Sequence, residues 1–94
     1  MKLFIFISHE DVIEADKIIA ILDYQLYHTS FQLRKLIEAR NKENKVIGNQ
    51  KEAKSIVITV DDIYFSSLST FTLKKREELS SAMSHIETYE YETK

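Results

Sequence analysis

The hydrophobic and polar positions of the sequence are organised around one stretch, residues 54–79. Its first part is a run of five β-branched residues at 56–60, which predicts a strand. Asp61 and Asp62 then predict a tight corner, and a second β-rich run follows at residues 63–65. The pattern therefore predicts two consecutive strands joined by a short turn.

A helix is predicted to complete this stretch. Ser69 or Thr70 is the expected N-cap, because a hydroxyl oxygen can accept a hydrogen bond from an amide that the first helical turn leaves free. Apolar residues then recur at helical spacing and form one stripe, Leu79, Ala82, Met83 and Ile86. From residue 87 the sequence is acidic, so residues 1–86 are predicted to form a single domain and residues 87–94 a frayed tail.

The N-terminal part contains three short β-rich runs, at residues 3–7, 12–13 and 18–22. The first run is apolar throughout, which predicts a strand covered on both faces. The third run is open to two interpretations, since its length suits either a strand or a helix. Three isoleucines among four residues favour a strand there.

The middle of the sequence predicts a helix with two different halves. Thr29 and Gln32 have the spacing of a capping box at its start. Apolar residues follow at helical spacing, Leu33, Leu36 and Ile37. The second half, residues 40–45, has no apolar face, so it either projects into solvent or lies on a charged partner.

The remaining segments complete the predicted order of elements. Residues 46–47 predict a short strand, and residues 48–52 predict a turn that is opened by the only glycine of the sequence. The complete order is β-β-β-α-β-β-β-α. We therefore predict an α+β fold in which a small, mostly antiparallel β-sheet packs with two helices.

Length and composition restrict the class of protein. A chain of 94 residues is expected to form one domain, and its small size favours oligomerisation. The absence of cysteine rules out a disulfide framework and suits the cytoplasm. The N-terminal apolar run lacks a signal-peptide cleavage pattern, and no apolar window is long enough to span a bilayer. We therefore expect a cytoplasmic protein with no membrane partner.

The net charge of −2 hides an uneven distribution. Residues 34–54 contain seven basic and three acidic residues, a balance of +4, which leaves −6 for the rest of the chain. This basic segment is either a solvated face or a surface that contacts phosphate groups. Its basic residues are Arg34, Lys35, Arg40, Lys42, Lys45, Lys51 and Lys54.

A second basic group, Lys74, Lys75 and Arg76, falls in the first turns of the last predicted helix. The helix macrodipole disfavours positive charge at this position, and Glu77 and Glu78 offset the cost. Two interpretations are open. The group is either a screened surface run, or it contacts something acidic, which is nucleic acid or the acidic surface of another copy.

No arrangement of residues typical of catalysis or metal binding occurs in the sequence. The histidines, His9, His28 and His85, have no metal-ligand spacing with one another or with carboxylates. Asp61 and Asp62 could hold a cation, but a hairpin corner is the simpler interpretation. A single glycine cannot form a glycine-rich phosphate loop, and no serine lies in a nucleophile-elbow context. We predict no catalytic residue, no metal ligand, no cofactor and no enzymatic activity.

Several segments resemble one family of small bacterial regulators. The similarity is carried by residues 54–60, 63–66, 68–69 and 72–76, and more loosely by residues 12–13 and 17–22. In these segments the sequence resembles the extracellular matrix regulatory proteins, the RemA/RemB group, and it is most similar to the RemB (YaaB) branch. The resemblance implies a DNA-binding transcription regulator of biofilm matrix genes, with a fold similar to LytTR-type domains. It also implies a ring-like homo-oligomer that binds DNA through basic residues.

Three of the residues expected to bind DNA follow from this resemblance by position, and Lys54, Lys42 and Lys45 are added from the basic segment. The arginine that the RemA side has in its early β region falls on Lys17, and its arginine pair falls near Gln50 and Lys51. Lysine lacks the bidentate fork of arginine, so we expect weak binding. The complete predicted set is Lys17, Gln50, Lys51, Lys54, Lys42 and Lys45.

An alternative function belongs to a different class. The acidic ends of the chain and the missing arginine pair favour a protein-interaction module that oligomerises without binding nucleic acid. In either case, the basic group at residues 74–76 is predicted to contact another copy or an acidic partner.

Overall fold

The computed structural model describes residues 3–8 and 10–80. In this part of the chain, six strands and three helices form an α+β fold, which confirms the predicted class. The strands are β1 (Phe4–Phe6), β2 (Val12–Glu14), β3 (Ile18–Asp23), β4 (Val46–Ile47), β5 (Ser55–Thr59) and β6 (Ile63–Ser66). The helices are α1 (Leu26–Thr29), α2 (Phe31–Lys42) and α3 (residues 70–80), and two 3₁₀ turns span Ala15–Lys17 and Gln50–Glu52.

Each predicted strand is present in the structure. The run at residues 18–22 belongs to strand β3, which decides between its two interpretations. One element was not predicted. It is α1, a single helical turn in the segment between β3 and α2.

The main sheet has four strands in the order β3-β5-β6-β4. Strand β5 pairs antiparallel with β3 and β6, whereas β4 pairs parallel with β6. The turn between β5 and β6 is built on Thr59, whose hydroxyl group donates to the carbonyl of Asp62 at 2.7 Å. The same hydroxyl oxygen accepts from the amide of Asp62 at 2.9 Å. One side chain thus closes the corner, and the predicted pair of strands is confirmed.

Strands β1 and β2 form a second, two-stranded sheet. Ile5 lies opposite Ile13 in their register, and both residues are buried. Phe4 and Phe6 point the other way and are 58% and 57% exposed. The predicted covering of both faces is therefore wrong for β1 within the described residues, because this ribbon places only one face on the core.

The four-stranded sheet is covered on both faces. Ile56 and Val57 are neighbours on β5 with 0% exposure each, and they face opposite sides of the sheet. Ile56 packs in a cluster with Leu33 and Ile37 of α2. Val57 packs in a second cluster with residues of β1 and β2 and with Leu73 of α3. The sheet therefore lies between α2 on one side and the ribbon and α3 on the other.

Helix α2 begins one residue later than the capping-box prediction. Ser30 is its N-cap, and the Ser30 Oγ accepts from the amide of Leu33 at 3.1 Å. The prediction that Thr29 and Gln32 form a capping box is wrong, because Thr29 is the last residue of α1. Thr29 and Ser30 both carry hydroxyl groups, so residue type alone does not show which of them caps α2.

Helix α2 uses two of its three predicted apolar residues to cover the sheet. Leu33 and Ile37 are buried, whereas Leu36 is 39% exposed. The helix ends at Lys42, and Asn44 adopts a positive φ of 59° that redirects the chain toward β4. The segment at residues 40–45 is therefore divided between the end of a helix and a turn.

Helix α3 begins at one of its two predicted caps. The Ser69 Oγ accepts from the amide of Thr72 at 3.2 Å, so Ser69 is the capping residue. Leu73 is fully buried, whereas Leu79, the first residue of the predicted stripe, is 62% exposed. The rest of the stripe and the predicted tail lie outside the described residues, Ala82, Met83, Ile86 and residues 87–94.

The glycine at position 48 is required by its surroundings. Gly48 has a φ of 107°, and a Cβ atom there would lie 2.3 Å from the carbonyl oxygen of Phe65. Only glycine tolerates this combination of backbone conformation and close approach. Gly48 thereby sets the path of the chain from β4 into the turn at residues 48–52.

Candidate nucleic-acid interface

The predicted DNA-binding residues lie at two opposite ends of the four-stranded sheet. Strand β5 begins at Ser55, next to Lys54, and ends at Thr59, which pairs with Ile18, the residue after Lys17. Four residue steps along a strand cover about 13 Å. We call residues 49–54 the loop end of the sheet. We call residues 59–62 together with Lys17 the hairpin end.

At the loop end, the backbone is fixed while two lysines are exposed. The Asn49 Oδ1 accepts from the amide of Lys51 at 3.0 Å and caps the 3₁₀ turn. The amide of Lys54 donates to the carbonyl of Ser66 at 2.7 Å. Lys51 and Lys54 are both exposed, and neither forms an ion pair with another described residue. Their charges are therefore available to a ligand.

Gln50, the third predicted residue of the loop end, contacts an aromatic cluster. Its Nε2 donates to the hydroxyl group of Tyr24 at 3.0 Å. The Tyr24 ring stacks on Tyr27 with centroids 5.7 Å apart, and it meets His28 and Phe65 edge-on at 5.5 and 6.0 Å. Aromatic side chains thus border the loop end.

At the hairpin end, the predicted cation is already paired. The Lys17 Nζ lies 3.6 Å from the Asp61 Oδ2, with 47% and 66% of the two side chains exposed. An exposed ion pair of this kind stabilises a protein by only about 0–1 kcal/mol. The carboxylate nevertheless reduces the positive potential that Lys17 presents to an anion.

Lys42 and Lys45 lie toward the edge of the sheet formed by β4, whereas Lys17 lies at the edge formed by β3. Lys45 precedes β4, and its carbonyl accepts from the amide of Ile63 at 2.9 Å. Lys42 is the last residue of α2. Strands β3 and β4 are the two outer strands of the sheet, which places these edges about 14 Å apart. Lys17 therefore does not form one continuous patch with Lys42 and Lys45 within a single chain.

Burial and nearby carboxylates both act on Tyr64 beside the hairpin end. Tyr64 of β6 is partly buried, and this burial raises the pKa of its hydroxyl group above the usual 10.0. Asp62, Asp11 and Asp61 raise the pKa further, because nearby negative charge opposes formation of the phenolate. These carboxylates therefore oppose the approach of an anionic ligand to Lys17.

In the second basic group, Arg76 contacts another part of the chain, whereas Lys74 and Lys75 are exposed. The Arg76 Nη1 donates to the carbonyl of Phe6 at 2.8 Å and so ties α3 to β1. The Lys75 Nζ lies 5.8 Å from the centre of the Phe71 ring, which is 71% exposed. Lys74 is also exposed. Phe71, Lys74 and Lys75 are thus exposed on α3, while Arg76 is used within the chain.

Metal-binding groups and membrane-spanning helices are both absent from the described residues. Among the residues at 3–8 and 10–80, no group of three or more His, Asp or Glu side chains is placed to hold a metal ion. His9 and His85 lie outside this part of the chain. No helix in the same part is long and apolar enough to cross a membrane.

A family model described as RemA-like, extracellular matrix regulatory protein A-like, matches residues 4–76. The chain belongs to the RemA-like family. A comparison with curated proteins gave no match. The resemblance found in the sequence is therefore confirmed at the level of the family.

The RemA-like match extends over both sheets, α1, α2 and the first turns of α3. It includes all six predicted DNA-binding residues and the basic group at residues 74–76. The two ends of the main sheet therefore both lie within the family domain.

Sequence reasoning missed the residues that surround the loop end of this RemA-like chain. Tyr24, Tyr27 and His28 were not among the predicted site residues, and Arg34 was counted only for its charge. The Arg34 Nη1 donates to the carbonyl of Tyr27 at 3.2 Å, which fixes α2 against the cluster. The spacing of Tyr24, Tyr27 and His28 at i, i+3 and i+4 was the available signal, because it places three rings on one side of a helical turn.

Proposed function

We propose that this RemA-like protein is a non-enzymatic regulator of extracellular matrix and biofilm gene expression in the cytoplasm, and that it belongs to the RemB branch. It acts as a ring-like homo-oligomer that binds DNA weakly. The observation that carries the proposal is the family match over residues 4–76. The exposed lysines of the loop end, which form no ion pair with another described residue, support its DNA-binding part.

The proposed DNA contact is centred on the loop end. Lys51 and Lys54 contact phosphate groups, and Gln50 supplies an amide beside them. Lys17, Lys42 and Lys45 contribute through neighbouring copies, because they are separated from the loop end within one chain. One subunit makes few contacts, but linked sites in a ring can raise avidity by roughly 10²–10⁴ without any new type of contact.

The proposed self-association uses surfaces that one copy leaves open. Strands β3 and β4 are the outer strands of the main sheet, and Ile19 on β3 is 64% exposed. Such edges pair readily with another chain unless they are covered. The exposed Lys74 and Lys75 then meet acidic side chains of a neighbouring copy.

The experiment that tests the proposal measures the molar mass of the protein in solution and its affinity for duplex DNA. Light scattering after size exclusion should give a multiple of the 11.0 kDa chain at tens of micromolar, and a monomer would contradict self-association. Titration with duplex DNA at two salt concentrations should show binding that weakens steeply with salt. The variant K51A/K54A should flatten this salt dependence and leave the oligomer unchanged.

A charge-preserving variant provides the matched control. K51R/K54R keeps both cations and adds the bidentate fork, so it should bind at least as tightly as the parent. Q50R would place an arginine beside position 51 and should strengthen binding further. If K51A/K54A binds DNA as tightly as the parent, the loop end is not the contact surface.

A second candidate function is a protein-interaction module that oligomerises without DNA. The observation that favours it is the mixing of charges around the candidate lysines. Lys17 pairs with Asp61, and Asp23 and Glu52 are exposed near Lys54 and Lys51. An oligomer that retards no duplex at low salt would select this function over the first.

A further inference from the structure

An aromatic cluster joins directly onto the loop end of the sheet. The amide of Tyr24 donates to the carbonyl of Lys54 at 3.1 Å, and the hydroxyl group of Tyr24 accepts from the Gln50 Nε2 at 3.0 Å. Tyr27 stacks on Tyr24 with an angle of 6° between the ring planes, and His28 meets both rings edge-on at 5.5 and 5.7 Å. We call Tyr24, Tyr27 and His28 the ring cluster.

The ring cluster is held in place without being fully buried. The Arg34 Nη1 donates to the carbonyl of Tyr27 at 3.2 Å, and the Phe65 ring meets Tyr24 edge-on at 6.0 Å. Tyr24 and Tyr27 are each partly exposed, and His28 is exposed. The rings therefore form a preorganised surface, part of which is accessible to a flat ligand.

The charges around the loop end are nearly balanced. Lys51 and Lys54 are exposed, and so are the neighbouring carboxylates of Glu52 and Asp23. Contacts to phosphate groups alone therefore give little affinity at this site. Stacking on an aromatic ring does not depend on net charge, and it raises the affinity for nucleic acid by roughly 5- to 150-fold for each base. Proteins that hold unpaired nucleotides combine basic side chains with such rings.

We propose that the loop end and the ring cluster together bind single-stranded DNA. An unpaired base stacks on the ring cluster, and the adjoining phosphate groups contact Lys51 and Lys54. The site uses the same two lysines as the proposed function and so rests on it, and it adds recognition of the base. In a duplex the bases are stacked on one another, so duplex DNA offers this site only its phosphate groups. The ring cluster therefore adds affinity for single strands.

Two other exposed aromatic side chains lack this arrangement. Phe31 and Phe71 are 63% and 71% exposed, and each already has a lysine on its ring, Lys35 at 5.3 Å and Lys75 at 5.8 Å. The ring cluster packs on the same side of the main sheet as α2, whereas α3, which carries Phe71, packs on the other side. Phe71 is therefore a matched control for a substitution in the ring cluster.

Oligonucleotides with and without bases test the proposal. By fluorescence anisotropy at low salt, the parent protein should bind a single-stranded thymidine oligomer about five-fold or more tightly than an abasic oligomer with the same number of phosphates. Y27L should remove this difference. Y27F keeps the ring, so both Y27F and F71L should preserve it. K51A/K54A should weaken the binding of both oligomers, because it removes contacts to phosphate groups.

The same titrations, extended to duplex DNA, separate this site from the proposed function. Equal affinity of the parent for the thymidine and abasic oligomers would overturn the single-strand site. The proposed function would still stand if the duplex binds. If neither single strands nor the duplex bind, both fail.

Photo-cross-linking locates the base in the parent protein and does not depend on the folding of a variant. A single-stranded oligomer that carries bromodeoxyuridine is irradiated in the complex, and the linked peptide is mapped by mass spectrometry. Links should fall within residues 24–28. Links confined to Phe31 or Phe71 would overturn the proposed location.

Discussion

Lys54 and Lys17 flank opposite ends of β5 and carry the same charge, but their surroundings differ. Lys54 is exposed and forms no ion pair with another described residue. Lys17 lies 3.6 Å from Asp61, in a region where burial, and then nearby carboxylates, raise the pKa of Tyr64. The availability of a lysine to DNA therefore depends on its neighbours across the sheet, which a count of charges along the sequence does not include.

The two ends also differ in how the backbone is held. Next to the loop end, Gly48 with its positive φ allows the chain to approach Phe65, and Asn49 caps the turn. At the hairpin end, the hydroxyl group of Thr59 closes the corner. Each end thus depends on one residue whose replacement should have a large and specific effect.

The largest effect is expected for Gly48→Ala, next to the loop end. The added Cβ meets the Phe65 carbonyl, and alanine is strained at a φ of 107°. We expect a loss of unfolding free energy of about 1–3 kcal/mol or more, measured by chemical denaturation. Asn44→Gly, at the other positive φ of the described chain, is the control and should not destabilise the protein. Equal losses in both variants would show that the Gly48 contact is not the cause.

The next effect is expected for Thr59→Val at the hairpin end. The substitution keeps the shape but removes the hydroxyl group that bonds to the backbone of Asp62, at a residue only 8% exposed. Leaving these groups unpaired should cost about 1–3 kcal/mol of unfolding free energy. Thr29→Val is the control, since Thr29 is exposed and does not cap α2. A similar loss in the control would assign the effect to the valine side chain rather than to the corner.

Local elements and long-range contacts differ in how well the sequence predicts them. The strands follow from local runs of β-branched residues, and the cap at Ser69 follows from residue type. The pairing of Lys17 with Asp61 joins residues 44 positions apart and depends on the register of β3 against β5. The bond from Arg76 to Phe6 spans 70 positions. Such contacts depend on topology, which a single sequence does not specify locally.

The misplaced cap of α2 and the exposed face of β1 have different causes. Ser30 and Thr29 are adjacent hydroxyl residues, so the capping pattern is ambiguous by one position. The residues of β1 are uniformly apolar, which normally indicates burial on both faces. Here Phe4 and Phe6 border a groove instead, and both remain more than half exposed.

A smaller effect is expected in the alkaline pH dependence of stability. The folded state raises the pKa of Tyr64, so it holds the phenol proton more tightly than the unfolded chain does. This contribution is complete below the unfolded pKa of 10.0 and is lost as the pH rises through the folded pKa. Tyr64→Phe should therefore reduce the fall in unfolding free energy above pH 10, measured by denaturation at several pH values. Tyr27→Phe keeps Tyr64 and serves as the control, and identical pH profiles for all three proteins would contradict the prediction.

The smallest stability effect, and the sharpest test of the two ends, is expected for Asp61→Asn. Because the pair with Lys17 is exposed, its loss should change the unfolding free energy by no more than about 1 kcal/mol. The same change frees the Lys17 charge and lowers the negative potential of the hairpin end. DNA binding should then strengthen, and the slope of log affinity against log salt should steepen by up to about 0.9 for each new phosphate contact. The double variant K17A/D61N separates the two causes, since it should lose the gain if Lys17 contacts phosphate. If D61N and K17A/D61N bind DNA equally, Lys17 does not contact DNA, and the proposed contact is then confined to the loop end.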